Sequence, residues 1–175
     1  MKESSGVEAR TELLEWVESA AIENLKGHHQ SAAQLAKESV QTLSVFVLIM
    51  AGSLALAARS IQDGRLDWFS AGAAGFAGWF FLLSICLVVR CMMRRKLPAI
   101  YNEPMHLYQP RYTLTALREV ELENLQVRIV RARHSNARIA RALDWLRFGA
   151  VASPIMFVVL SVVWWVGSSA CGARP

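Results

Sequence analysis

Uncharged runs alternate with amphipathic ones along this chain. The alternation predicts an all-α integral membrane protein with three transmembrane helices and a cytoplasmic amphipathic, heptad-patterned helical portion. Between Glu38 and Arg59 lie 20 residues without a charge, Ser39–Ala58. Between Asp67 and Arg90 lie 22, Trp68–Val89, and between Arg147 and Arg174 lie 26, Phe148–Ala173. A helix needs about 20 apolar residues to cross the hydrocarbon core, and a charge near its centre costs roughly 2.5–3.5 kcal/mol. The predicted spans are 39–58, 68–89 and 148–168, with a short external loop over 59–67 and an external tail over 169–175. A soluble bundle of 175 residues could not cover three helices that are apolar on every face. The first apolar run begins near residue 40, too late for a cleavable signal peptide, so the first span is expected to stay in the membrane.

The polar stretches carry helical stripes. Over 114–147, Leu122, Leu125, Ile129, Ala132, Asn136, Ile139, Leu143 and Leu146 recur at alternating spacings of three and four, a heptad pattern with one polar member. A buried Asn136 would fix register at some cost in stability. Glu119, Glu121 and Glu123 open the segment and arginines follow, which complements the helix dipole. Thr113 or Thr115 is placed to cap it. Only Gly149 interrupts the good helix formers before Pro154, so this helix is expected to run on into the third span, with a kink at Pro154. Residues 1–38 carry a weaker stripe, Leu14, Val17, Ala21, Leu25, His28, Ala32 and Leu35. Gly27 marks a candidate bend there. The two stripes are expected to pack on each other or on neighbouring protomers.

Residues 90–113 join the second span to the heptad helix. Pro98, Pro104 and Pro110 forbid a helix there. The expectation is an extended strap, with Tyr101, Tyr108 and Tyr112 anchoring it to the helices or to the headgroup layer.

Charge sets the orientation. Lys and Arg number four in 1–38, two in 59–67, twelve in 90–147 and one in the tail. The positive-inside rule places the N-terminus and 90–147 in the cytoplasm and the C-terminus outside. Trp68, Trp164 and Trp165 then mark the outer interface and Trp145 the inner one. The twelve cations and five acids of 90–147 leave +7. Arg94, Arg95, Lys96, Tyr101, Tyr108, Arg131 and Arg138 are the candidate contacts for anionic lipid or a soluble partner. No stacking aromatics interleave with the arginines, which argues against nucleic acid.

Candidate membrane packing residues are Ala71, Gly72, Ala74, Gly75 and Gly78. Ala71/Gly75 and Ala74/Gly78 are each four apart, so either pair lets a second helix approach closely. Candidate residues for cytoplasmic helix association are Leu122, Leu125, Ile129, Asn136, Ile139 and Leu143. No catalytic, cofactor or metal site is predicted. The spans contain no ionisable residue of the kind a coupled transporter uses. Ser44, Ser53, Ser84 and Ser161 can bond back to their own helices. Cys86 and Cys91 are five residues apart, about 140° round a helix, a poor geometry for sharing a metal.

The string Asn102-Glu103-Pro104-Met105-His106-Leu107-Tyr108, followed by Leu117-Arg118-Glu119-Val120-Glu121-Leu122-Glu123-Asn124-Leu125-Gln126-Val127-Arg128-Ile129, resembles small three-span membrane proteins of proteobacteria and their prophages. The resemblance extends to Ala36-Lys37-Glu38-Ser39. It implies a bacterial inner-membrane setting and a phage-linked role, and it carries no catalytic residue with it.

The resulting expectation is a non-enzymatic, self-associating inner-membrane protein. Its leading function is membrane perturbation or pore formation, as in holin-like lysis proteins and phage-defence effectors. The alternative is a membrane anchor or scaffold that recruits a soluble partner through its cytoplasmic helices. Three-span holins usually run with the N-terminus outside and short loops. The opposite orientation and the long cytoplasmic helix here favour a regulated effector.

Overall fold

The computed structural model describes residues 2–63, 68–93, 98–103 and 108–170, and among these it is helical without strands. Four helices form: α1 (Lys2–Gln62), α2 (Trp68–Leu87), α3 (Leu114–Val151) and α4 (Ser153–Ala170). A π-helical turn, Val88–Met92, extends α2, closed by Met93 N–H donating to Val88 O at 3.0 Å. Two helices are long and apolar enough to cross a membrane, and α3 with α4 makes a third candidate if that bent pair is one span.

The backbone does not mark every sequence boundary. α1 is one unbroken helix through Gly27 and through the junction at residue 38. Gly27 therefore costs helix propensity without bending the chain. The expected continuous passage from heptad helix to third span does not form. α3 stops at Val151, Ala152 is a turn residue, and α4 departs at 48°. Pro154 explains the break. It has no N–H for Ala150 O, and its ring crowds that carbonyl. Ile155 N–H instead reaches Ala152 O at 3.1 Å, a tighter turn, while Ala152 N–H ends the preceding ladder on Phe148 O at 2.9 Å. At the other end of α3, Thr113 caps the helix: Ala116 N–H donates to Thr113 Oγ1 at 3.4 Å.

The chain divides into two compact units, Met1–Leu35 with Arg94–Arg138, and Ala36–Met93 with Ile139–Pro175. They are called here the strap unit and the span unit.

In the strap unit, the predicted stripes of α1 and α3 face each other within one chain. Leu25 (0% exposed), Leu125 (2%) and Ala132 (0%) form its centre, with Ala21, Ile22, Ile129 and Ile100 of the strap against them. The helices run parallel, because successive cross-contacts advance together along both: Arg118 meets Glu15 and Glu18, and further on Asn136 meets His28.

The core of the span unit is Phe46, Phe80, Leu83, Leu87, Cys91, Leu143 and Leu146. Phe80 sets an edge against Phe46 at 5.4 Å and lies 5.0 Å from Phe76. The outward positions are apolar too, including Leu48, Leu54, Phe81, Leu82, Val151, Ile155 and Val163. A surface of this kind is a liability in water and is consistent with a membrane protein.

Leu25→Ala should lower stability by about 2–5 kcal/mol, through lost transfer energy and a cavity. Thermal melting of the detergent-solubilised full chain, followed by circular dichroism, measures it. Leu13→Ala, at a 59% exposed position, should change it by less than about 0.5 kcal/mol. Equal losses at the two sites would contradict this seam.

Candidate functional site

Polar contacts fix the register of the strap unit. Asn136 is 8% exposed and donates through Nδ2 to His28 O at 2.8 Å. That carbonyl belongs to the α1 backbone and has a second lone pair to offer. Asn136 Oδ1 finds no partner among the described residues, so a one-residue slip would leave both ends of the amide unpaired. Toward the start of α3, Arg118 Nε donates to Glu18 Oε2 at 3.0 Å, and Nη1 to Glu15 Oε1 at 3.3 Å. Arg10 pairs with Glu119 nearby. The hydrogen bonds it donates to Glu18 and then Glu15 raise the Arg118 guanidinium pKa above its ordinary value. Its charge persists until pH rises through that raised range.

A second set of bonds latches the strap. Arg128 and Glu121 are well covered, at 13% and 16% side-chain exposure, and pair at 3.1 Å. Glu121 Oε2 also accepts from Asn102 Nδ2 at 2.8 Å, and Arg128 Nη1 donates to Ile100 O at 3.4 Å. His29 Nε2 lies 3.0 Å from Pro98 O. The strap is thus held by backbone carbonyls, Asn102 and the Ile100 side chain. The tyrosines expected to anchor it on the helices do not: Tyr101, Tyr108 and Tyr112 are exposed. A phenol needs both an apolar wall and a partner for its hydroxyl, whereas the groove beside Leu25 and Leu125 is filled by Ile100.

The arginines of α3 fall into two groups. In the strap unit, Arg118 and Arg128 are engaged by acids. In the span unit, Arg147 meets Glu38 at 2.8 Å. Arg131, Arg133 and Arg138 are exposed and have no ion-pair partner among the described residues. Of the candidate partner contacts, Arg131, Arg138, Tyr101 and Tyr108 therefore face outward. Arg94, Arg95 and Lys96 lie outside the described residues, as do His106, the loop 64–67 and Cys171.

The predicted association residues of α3 are spent inside the chain. Leu122 and Ile129 are half-buried, and Leu125 and Asn136 are buried, all in the strap unit. Ile139 and Leu143 pack into the core of the span unit. The small residues of α2 divide similarly. A Cβ at Gly72 would collide with Ser161 and press on Phe157, and one at Gly75 would lie 2.6 Å from Leu160 Cδ1. These two glycines are where α2 meets α4. Ala71 is half-buried, whereas Ala74 and Gly78 are exposed and a Cβ at Gly78 would meet nothing. Gly149 makes a further close approach: Leu83 Cδ2 would be 3.3 Å from its Cβ, and Trp79 Nε1 donates to Gly149 O at 3.3 Å.

Ser44, Ser53 and Ser84 donate to the carbonyls four residues back, at 3.1, 2.8 and 2.8 Å. Ser161 differs. It is buried against Gly72 and its hydroxyl has no partner among the described residues. It borders an apolar cleft of about 310 Å³ with Trp68, Phe157 and Trp165.

Sequence reasoning missed the acid–arginine pairs of the strap unit. Their signal was available, since residues 1–38 hold seven acids against four cations while 90–147 hold five against twelve. The Glu121–Arg128–Asn102 latch had no sequence signal beyond a spacing of seven along α3.

Among the described residues, no group of three or more His, Cys, Asp or Glu side chains is placed to hold a metal ion. Comparison with protein-family models, with curated proteins and with solved structures finds no match.

Two substitutions test these contacts. Glu121→Ala leaves Asn102 without its acceptor and Arg128 without its acid, and should speed hydrogen exchange of the amides in 99–102 by about tenfold or more, since a charged hydrogen bond contributes roughly 1.5–3 kcal/mol. Unchanged exchange would show that the latch does not hold the strap. Gly75→Leu should lower the thermal midpoint of the purified chain, while Gly78→Leu leaves it nearly unchanged. The reverse order would place the α2–α4 contact on the other glycine face.

Proposed function

We propose that this protein is a non-enzymatic, membrane-anchored helical scaffold. In this reading the chain crosses the bacterial inner membrane three times. The N-terminus and the strap unit are cytoplasmic and the C-terminus is external, as the distribution of lysine and arginine favours. The observation that carries the reading is the sorting of arginines on α3. Those facing the chain are matched by acids, and Arg131, Arg133 and Arg138 face outward unmatched. Exposed unmatched charge on a rigid helix steers and orients a partner of opposite sign.

The pore reading drew on the glycines of α2 and the heptads of α3 as surfaces between protomers. Gly72, Gly75, Leu125 and Leu143 instead make contacts within one chain. The three charge-free windows offer no Asp, Glu, His, Lys or Arg to a conduction path. Both facts favour the scaffold over the pore.

Membrane potential in a bacterial host, after induced expression at matched levels, separates the two readings. The scaffold predicts full recovery of the protein in the carbonate-resistant membrane fraction with potential and dye exclusion unchanged. Depolarisation that scales with the inserted protein would overturn the scaffold in favour of the pore.

A further inference from the structure

The strap unit has two outer faces, one on each helix, and they are complementary. On α1, Leu13, Trp16, Ala20 and Glu23 follow at spacings of three, four and three, on the side away from Leu25. Leu13 is 59% and Trp16 70% exposed. Glu12 borders this face, exposed and without a partner among the described residues, and Glu23 reaches only Lys26, at 3.8 Å. On α3, Val120, Val127, Arg131 and Arg138 follow at spacings of seven, four and seven, on the side away from Ala132 and Asn136. Val120 is 57% and Val127 48% exposed. One face is apolar with acids, the other apolar with unpaired arginines, and they look in opposite directions because the inner faces are packed together.

We infer that the strap unit binds a second copy of this chain, the outer face of α1 in one copy against the outer face of α3 in the next. The inference rests on the scaffold reading, in which every copy enters the membrane in one orientation. Copies so anchored stand side by side at equal height. Because α1 and α3 run parallel, a residue of α1 lies level with the α3 residue about 100 to 108 positions later, as the Arg118–Glu18 and Asn136–His28 contacts fix it. Trp16 then comes level with Val120, Glu23 with Arg131 and Gln30 with Arg138. Apolar positions meet apolar ones and Glu23 meets an arginine with no other acid. Trp and Arg are the residue types on which interface energy concentrates. A contact between unlike faces is head-to-tail, so it propagates into a ring or a row instead of stopping at a dimer. An acidic soluble protein or an anionic lipid surface would use only the arginine face and would leave Leu13 and Trp16 uncovered.

The test uses the full chain reconstituted in nanodiscs or detergent, with mass measured by light scattering. The wild type should form multimers. Arg131→Glu with Arg138→Glu should weaken assembly by at least about tenfold, since like charges then oppose across the contact. Adding Glu23→Arg with Gln30→Arg to that variant should restore it, an outcome that a merely structural role of the arginines would not give. A monomeric wild type, or assembly unaffected by the charge reversal, would overturn the proposal. So would charge reversal that abolishes binding to anionic vesicles while leaving the multimers intact. Carbonate extraction of the host membranes before solubilisation keeps the two readings apart: an extractable protein defeats the scaffold reading, whereas an integral but monomeric one defeats only this interface.

Discussion

Each long helix has one stripe that must leave water, and within each unit that obligation decides what packs on what. In the strap unit the stripe of α1 and the stripe of α3 bury each other around Leu25, Leu125 and Ala132. Apolar contact is non-directional and would tolerate a slide along the seam. The polar contacts remove that freedom. Asn136 must meet His28 O, and Arg118 must meet Glu15 and Glu18. A buried amide contributes little net stability when satisfied but costs about 1–3 kcal/mol when stranded. Its effect is therefore to penalise wrong registers more than to deepen the right one.

A parallel pair needs its connecting chain to travel back along it. The strap touches α1 at His29, and α3 begins near the level of Arg10. The return is about nineteen residues of helix, or ~28 Å at 1.5 Å per residue. The sixteen residue-to-residue steps from Pro98 to Leu114 would reach only ~24 Å as a helix but up to ~53 Å extended. Pro98 and Pro110 bar a helix toward the two ends of the segment, the conformation that would be too short. The chain composition and the parallel seam are thus two sides of one requirement, and the latch through Glu121 and Arg128 fastens the near end of the return.

What was legible in the sequence follows from which signals are local. The charge-free windows and both stripes are matters of period and neighbouring residue type, whereas the choice of Thr113 over Thr115 as cap and the burial of Asn136 are settled by the fold. The passage of α1 straight through Gly27 was not legible, because an exposed glycine lowers helix propensity without dictating a bend. The break at Ala152 was placed two residues late, since proline acts on the carbonyl four residues before it. The glycines of α2 show the limit most clearly. Ala71/Gly75 and Ala74/Gly78 have the same spacing and differ only in direction. Choosing between them takes the side chains opposite, Phe157, Leu160 and Ser161, which lie more than eighty residues away. The tyrosines do not dock on the helices for a related reason: their bulk suggested it, but Ile100 is the strap side chain packed beside Leu25 and Leu125.

The break at Ala152 and the glycines of α2 also depend on each other. A helix continuing straight from α3 would carry Phe157, Leu160 and Ser161 along its own axis. The 48° turn imposed ahead of Pro154 redirects α4, and the same three side chains then come down on α2. Helices approach this closely only where one of them lacks side chains. Gly72 receives Ser161 and the edge of Phe157, and Gly75 receives Leu160. The edge contacts of Phe157 with Phe69 at 5.8 Å and with Phe76 at 6.0 Å flank the contact. Without the proline, the two glycines would leave voids on α2 that only lipid or another chain could fill. Without the glycines, the redirected helix would collide. The pair is satisfied only together, so the two glycines belong to the internal packing of the span unit, while Ala74 and Gly78 stay exposed.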